Sequence, residues 1–165
     1  MSSAEVSIQE IKDRLAIANI EGEYARLCDS GNGDLWANLF TENGVYQSAV
    51  VPGMPGATSP IRGRSELAES INNSPTTNCI HKLSPPQIDI FGDTATVHTN
   101  FEVEISWSDE HGNNHYRTMS AYYHVAYERV RDEWKIRNRV TVPFSVTTTV
   151  TCGYRSDISL PGPGN

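Results

Sequence analysis

Apolar residues recur in three- and four-residue steps from Ile8 through Ile11, Leu15 and Ala18 to Ala25 and Cys28, with Ile17, Ile20, Tyr24 and Leu27 beside them. That period predicts an amphipathic helix over 7–28. Ser7 stands as its N-cap, and Glu10 three residues on completes a capping box. The pattern breaks at "DSGNGD" (29–34), whose glycines suit positive φ. "DLWANLF" (34–40) predicts a short second helix with Asp34 at its N-terminus, and "TENGVYQSAV" (41–50) a turn and a strand. "VPGMPGATSPIRG" (51–63) has no period and is rich in Pro and Gly, which predicts a long loop of the lid or binding kind. "RSELAESINNS" (64–74) predicts a third short helix.

From residue 78 the period changes to two. "NCIHKLSPPQIDIFGDTATVHTNFEVEISW" (78–107) predicts a strand, a turn near Gly92 and a long alternating strand. A hairpin turn over 108–115 leads to a strand over 116–130, a tight turn at "RDE" and a last core strand over 134–144. The remaining tail offers at most an edge strand before Pro and Gly take over. Helices first and long strands afterwards make an α+β class: a curved antiparallel sheet wrapped around N-terminal helices. One domain spans 1–165, with a core at about 8–144 and a tail at 145–165. A sheet curved in this way leaves a cone-shaped cavity, a place for a small-molecule site.

Composition narrows the partners. The net charge of −7 argues against nucleic acid and anionic membrane, which both need a basic face. No apolar run approaches the ~18 residues of a membrane span, and "MSSAEVSIQEIKDRL" lacks an apolar leader core, so a cytoplasmic protein is expected. Cys28, Cys79 and Cys152 are widely spaced, which predicts reduced, buried thiols rather than a disulfide framework or a zinc site. The spacing of His, Asp and Glu suggests no metal, and neither a phosphate loop nor a nucleophile elbow is present. No cofactor is expected.

Two residues stand out as chemistry. Asp29 follows the apolar stripe at a helix C-terminus, where the helix dipole disfavours a carboxylate. A turn also accepts Asp readily. His81 lies between Ile80 and Lys82 at a strand start, where it is either a satisfied core histidine or a base. A His–carboxylate pair would make a compact general base, with the carboxylate fixing the tautomer. His98, Asn100, Glu102 and Glu104 share a strand face opposite Val97, Phe101, Val103 and Ile105, which reads as a solvated face. Tyr122 and Tyr123 point to opposite faces, so at most one lines a cavity. Trp36, Trp107 and Trp134 read as core or interface. His111 and His115 fall in the hairpin turn and read as solvated.

The stretches "YARLCDSGNGDLWANLFTENGVY", "RGRSEL", "CIHKLSPPQIDIFGDTATVHTNFEV" and "YYHVAYERVRDEWKIRNRV" resemble, in that order and spacing, the SnoaL-like branch of the NTF2-like superfamily. The resemblance covers about residues 8–144. Within that branch the chain resembles scytalone dehydratase and hexachlorocyclohexane dehydrochlorinase, lyases that work without a cofactor through an Asp–His pair in the cone. The resemblance implies that Asp29 is the helix-end acid and His81 the base. It implies that Tyr46 is an aromatic pocket residue, with Tyr24 facing the same cavity, and that Arg139 is a pocket arginine. Glu104 stands where the dehydratase has a second histidine, and Tyr123 where it holds substrate with an asparagine, so the substrate is expected to differ.

The function this implies is a dehydratase- or dehydrohalogenase-type lyase acting on a small, mostly apolar molecule. Two rivals remain. One is an isomerase or cyclase of secondary metabolism using the same pair. The other is a non-catalytic ligand-binding protein or one like an oxygenase β subunit, since fold does not dictate function. The resemblance also implies a homo-oligomer, with a trimer favoured.

Overall fold

The computed structural model describes residues 7–48, 59–74, 76 and 78–151. The first helix, α1 (Ile8–Asp29), begins where the capping signal places it: the Ser7 side chain accepts from the Glu10 N–H at 3.1 Å. Its buried face differs from the expected stripe. Ile8, Ile11 and Leu15 are 55–74 % exposed, and the residues turned to the sheet are Asp13, Ile17, Glu21, Tyr24, Ala25 and Leu27. Two carboxylates therefore take places in the packed face, because distant donors satisfy them. Asp13 accepts from the Arg129 guanidinium and from the Trp134 indole N–H. Glu21 accepts from Arg139, Tyr127 and Thr99.

At the end of α1 the chain turns through Gly31, at φ +67°, a conformation a side chain would strain. Helix α2 (Gly33–Ala37) is shorter than expected. Its cap is Asn32, whose side chain accepts from the Leu35 N–H, so Asp34 lies in the first turn and not at the cap. Gly33 is packed against α3 (Gly63–Asn72) so closely that a Cβ there would strike the Ala68 carbonyl.

Seven strands follow: β1 (Phe40–Ser48), β2 (Ile61–Arg62), β3 (Asn78–Leu83), β4 (Gln87–Phe91), β5 (Thr94–Ser108), β6 (Asn114–Val130) and β7 (Glu133–Thr151). They form one unclosed sheet in the order β2-β1-β7-β6-β5-β3, with β4 also on β5. The expectation of a purely antiparallel sheet is corrected at one seam: β1 pairs with β7 in parallel. The chain reaches β1 through the helices at one end of the sheet, so it runs beside the last strand in the same direction. The last strand also continues past residue 144 as one element. Its register against β6 slips by one residue near Phe144, beside Pro143, and again near Arg137. A bulge both accommodates a proline and bends the strand, and two of them help curl this sheet. The two-residue turn Arg131–Asp132 takes left-handed φ values of 51° and 67°, as a tight hairpin of right-handed twist requires.

The concave face of the sheet carries Phe40, Ala95, Val97, Phe101, Val103, Ala121, Tyr123, Val125 and Ile136 against Ile17, Tyr24 and Trp36 of the helical side. Most of the loop expected over 51–63, and the tail beyond residue 151, lie outside the described residues. So does Cys152. No helix among the described residues is long and apolar enough to cross a membrane.

Candidate active site

The sheet and the three helices leave a cavity of about 450 Å³. Its wall combines apolar Ile61, Ile71, Val103, Ile105 and Met119 with the hydroxyls of Tyr24, Tyr46, Tyr123 and Thr141. Asp29 and His81 are the acidic and basic residues that line it, among the described residues.

These two residues meet where the last turn of α1 packs on β3. Asp29 Oδ1 lies 2.5 Å from His81 Nδ1, and Asp29 Oδ2 accepts the His81 backbone N–H at 2.9 Å. One carboxylate thus grips the ring and the main chain of one residue together. The two N–H groups also compensate the unfavourable end of the helix dipole. The His81 side chain is 7 % exposed and that of Asp29 24 %. His81 packs at 5.8 Å from Phe101, which stacks on Tyr123 at 3.9 Å. Its Nε2 has no hydrogen-bond partner among the described residues.

Burial pulls the imidazole pKa down, but the Asp29 carboxylate and the neighbouring Cys79 more than reverse this and raise it to about 9. Burial pushes the Asp29 carboxyl up, and the ring and backbone N–H of His81 outweigh it, holding the acid below its ordinary value. Burial drives Tyr24 and Tyr123 well above the usual phenol value and raises Tyr46 too, so all three remain O–H donors. Tyr46 shares a hydrogen bond with Thr141 at 3.2 Å.

Tyr24, Tyr46 and Tyr123 therefore sit where the sequence reading places them, around one cavity with Asp29 and His81. Two expectations are corrected. Glu104 lies on the convex face, half exposed and paired with Lys82. Strand parity decides this: Val103 faces the cavity across from His81, so its neighbour faces out. Arg139 is fully buried behind the cavity wall and does not line it. Its guanidinium is sandwiched 3.6 Å from the Tyr24 ring and 3.7 Å from that of Tyr123, and it grips Glu21 through two bonds of 2.8 and 3.0 Å. It supports the two phenols from behind.

Other residues of the site were not singled out by the sequence reading. Trp36, read as core or interface, lines the cavity, and its buried indole N–H has no acceptor among the described residues. Ser70, Asn72 and Asn78 add polar groups to the wall. Cys28 and Cys79, read as reduced, buried thiols, are half-buried and come together beside His81. Nothing in their linear spacing signals this, because the contact exists only once α1 lies on β3.

A family model described as a SnoaL-like domain matches residues 9–140. No curated protein sequence matches the chain. Among solved structures, a Novosphingobium aromaticivorans protein provisionally named a scytalone dehydratase superposes with a TM-score of 0.67 at 20 % identity, covering 83 % of this chain and 87 % of its own. A type 3 hexachlorocyclohexane dehydrochlorinase from Novosphingobium barchaimii gives a TM-score of 0.70 at 15 % identity, covering 86 % of this chain and 93 % of its own. A type 2 form of the same enzyme gives 0.73 at 15 % identity, covering 94 % of this chain and 99 % of its own. Likeness at this identity is a likeness of fold.

Proposed function

The chain belongs to the SnoaL-like family, and from that premise we propose that it is a cofactor-independent lyase that eliminates water or a hydrogen halide from a small, net-neutral molecule. The observation that carries this reading is the Asp29–His81 pair at 2.5 Å in the wall of a cavity lined by both apolar side chains and neutral polar groups. With Nδ1 occupied by Asp29, Nε2 is the atom left to take a proton from substrate carbon. Asp29 stabilises the imidazolium that results, as the carboxylate of a catalytic triad does. The electron pair of the broken C–H bond forms the new double bond, and the leaving group departs with its own pair. Positioned base catalysis of this kind is worth about 10²–10⁴-fold.

The rest of the wall supports the same reading. Tyr24, Tyr46 and Tyr123 are neutral O–H donors suited to a carbonyl oxygen or a departing hydroxyl. With no Lys or Arg among the described lining residues, a carboxylate or phosphate substrate would enter uncompensated. The dehydratase and dehydrochlorinase neighbours share the fold alone, and their names make elimination the first reaction to test.

The test is product mass. Wild-type protein is incubated with a panel of neutral cyclic β-hydroxy ketones and vicinal halides, and His81→Ala with the same panel. The proposal expects a product lighter by one water or one hydrogen halide, and its absence with His81→Ala. A product of unchanged mass indicates an isomerase instead. Loss that survives His81→Ala, or no loss across the panel, contradicts the proposal.

A further inference from the structure

The contact that positions the base also assembles a set of soft metal ligands. Cys28, in the last turn of α1, and Cys79 and His81, on the inward face of β3, offer two sulfurs and one ring nitrogen that all lie within 4.8 Å of one another. The Cys79 Sγ is 3.7 Å from His81 Nδ1, and the Cys28 Sγ lies within 4.8 Å of both. All three residues line the cavity and are only partly exposed. Zinc binds thiolate at about 2.3 Å and imidazole at about 2.0 Å, so a tetrahedral ion sets its sulfur and nitrogen ligands roughly 3.5–3.8 Å apart. The Cys79–His81 edge already has that length. Two cysteines and one histidine, with a fourth position open to a cavity, form a ligand set that zinc occupies elsewhere.

We propose that Cys28, Cys79 and His81 form a binding site for a thiophilic divalent cation of the zinc class, with its fourth position facing the cavity. Binding exchanges the two thiol protons and the proton on Nδ1 for the ion, and those protons leave to solvent. Nδ1 can hold the metal or the Asp29 bond, not both. Occupancy therefore removes His81 from the role of base, so that the cation acts as a reversible inhibitor. This consequence rests on the elimination reading, while the binding itself does not.

The experiment uses the full chain, reduced and freed of metal with a chelator, and titrates it with cobalt(II) followed by zinc(II). The expected result is one equivalent of cobalt with the visible bands of tetrahedral coordination and a thiolate charge-transfer band, both abolished by zinc. Cys28→Ser and Cys79→Ser each lose the charge-transfer intensity, and His81→Ala weakens binding at least tenfold. Cys152→Ser binds as wild type does. Circular dichroism of each variant separates loss of a ligand from loss of fold, and the two serine variants test the site independently. Cobalt spectra that show only octahedral coordination, or that are the same in Cys28→Ser and Cys79→Ser as in wild type, overturn the proposal. Because no substrate is involved, a failure here leaves the elimination reading standing. Turnover unaffected by His81→Ala would defeat that reading without touching this one.

Discussion

Glu21 and Asp29 lie on the same helix, two turns apart, and each grips a nitrogen-bearing side chain of the sheet. Their surroundings give them opposite tasks. Glu21 is fully buried and accepts four bonds: two from Arg139, one from Tyr127 at 2.5 Å and one from Thr99 at 3.1 Å. Arg139 Nε has no partner among the described residues, but it is buried and does not line the cavity, so a ligand cannot meet it. Asp29 turns both oxygens to His81, is partly exposed, and the far nitrogen of its partner has no hydrogen-bond partner among the described residues and lies beside a cavity. Both carboxyls are held below their ordinary value, in each case by donors that outweigh burial. A shifted acid therefore does not by itself mark a site. What marks it is an unsatisfied reactive atom that a small molecule can reach.

The sharpest way to break this comparison is to remove each acid in turn. Glu21→Ala leaves the Arg139 guanidinium buried without its counter-charge, and the expected loss is about 3–5 kcal/mol of stability, read from denaturant unfolding. A smaller loss, with the cavity enzyme intact, would mean that water reaches Arg139. Asp29→Asn is expected to fold and to lower kcat by about 10²-fold or more, because the amide neither balances an imidazolium nor selects its tautomer. Unchanged kcat would place Asp29 with Glu21 as a strut.

The pH dependence refines the contrast. The competent base is the neutral imidazole, and its pKa is raised to about 9. Between pH 7 and 9 the neutral fraction, and with it kcat/KM, rises about fiftyfold in chelator-treated protein, the slope flattening as pH 9 is reached. In Asp29→Asn the carboxylate is gone while burial and Cys79 remain, so the rise moves to lower pH. The smallest effect belongs to Glu104→Ala, which removes an exposed partner of Lys82 on the convex face and is expected to change neither kcat/KM nor the unfolding midpoint measurably.

Much of this architecture is legible in the chain itself. Ser7 and Glu10 announce the start of α1, and the two-residue period after residue 78 announces β5, β6 and β7. The Asp29–His81 pairing is what the family resemblance implies, and the two residues meet in the structure; Tyr24, Tyr46 and Tyr123 fall around the same cavity. Glu104 is instructive in the other direction: the alternation of Val97, Phe101 and Val103 already assigns it to the outer face, and only the family correspondence drew it inward. The role of Arg139 and the burial of Asp13 and Glu21 are of another kind. A carboxylate on the packed face of a helix looks like a break in the stripe until its donors, on strands far along the chain, are known. The parallel seam between β1 and β7 and the meeting of Cys28 with Cys79 are likewise tertiary, with no local signal to announce them.

The account turns on Asp29 making His81 a single titrating unit that faces the cavity, and a nitrogen-15 NMR titration of the His81 imidazole in reduced, chelator-treated protein reads this without any substrate. The account predicts a wild-type midpoint near pH 9 and an Asp29→Asn midpoint displaced well downward, toward the ordinary histidine value of about 6.5. A wild-type midpoint already at the ordinary value, or one that Asp29→Asn leaves in place, would contradict it.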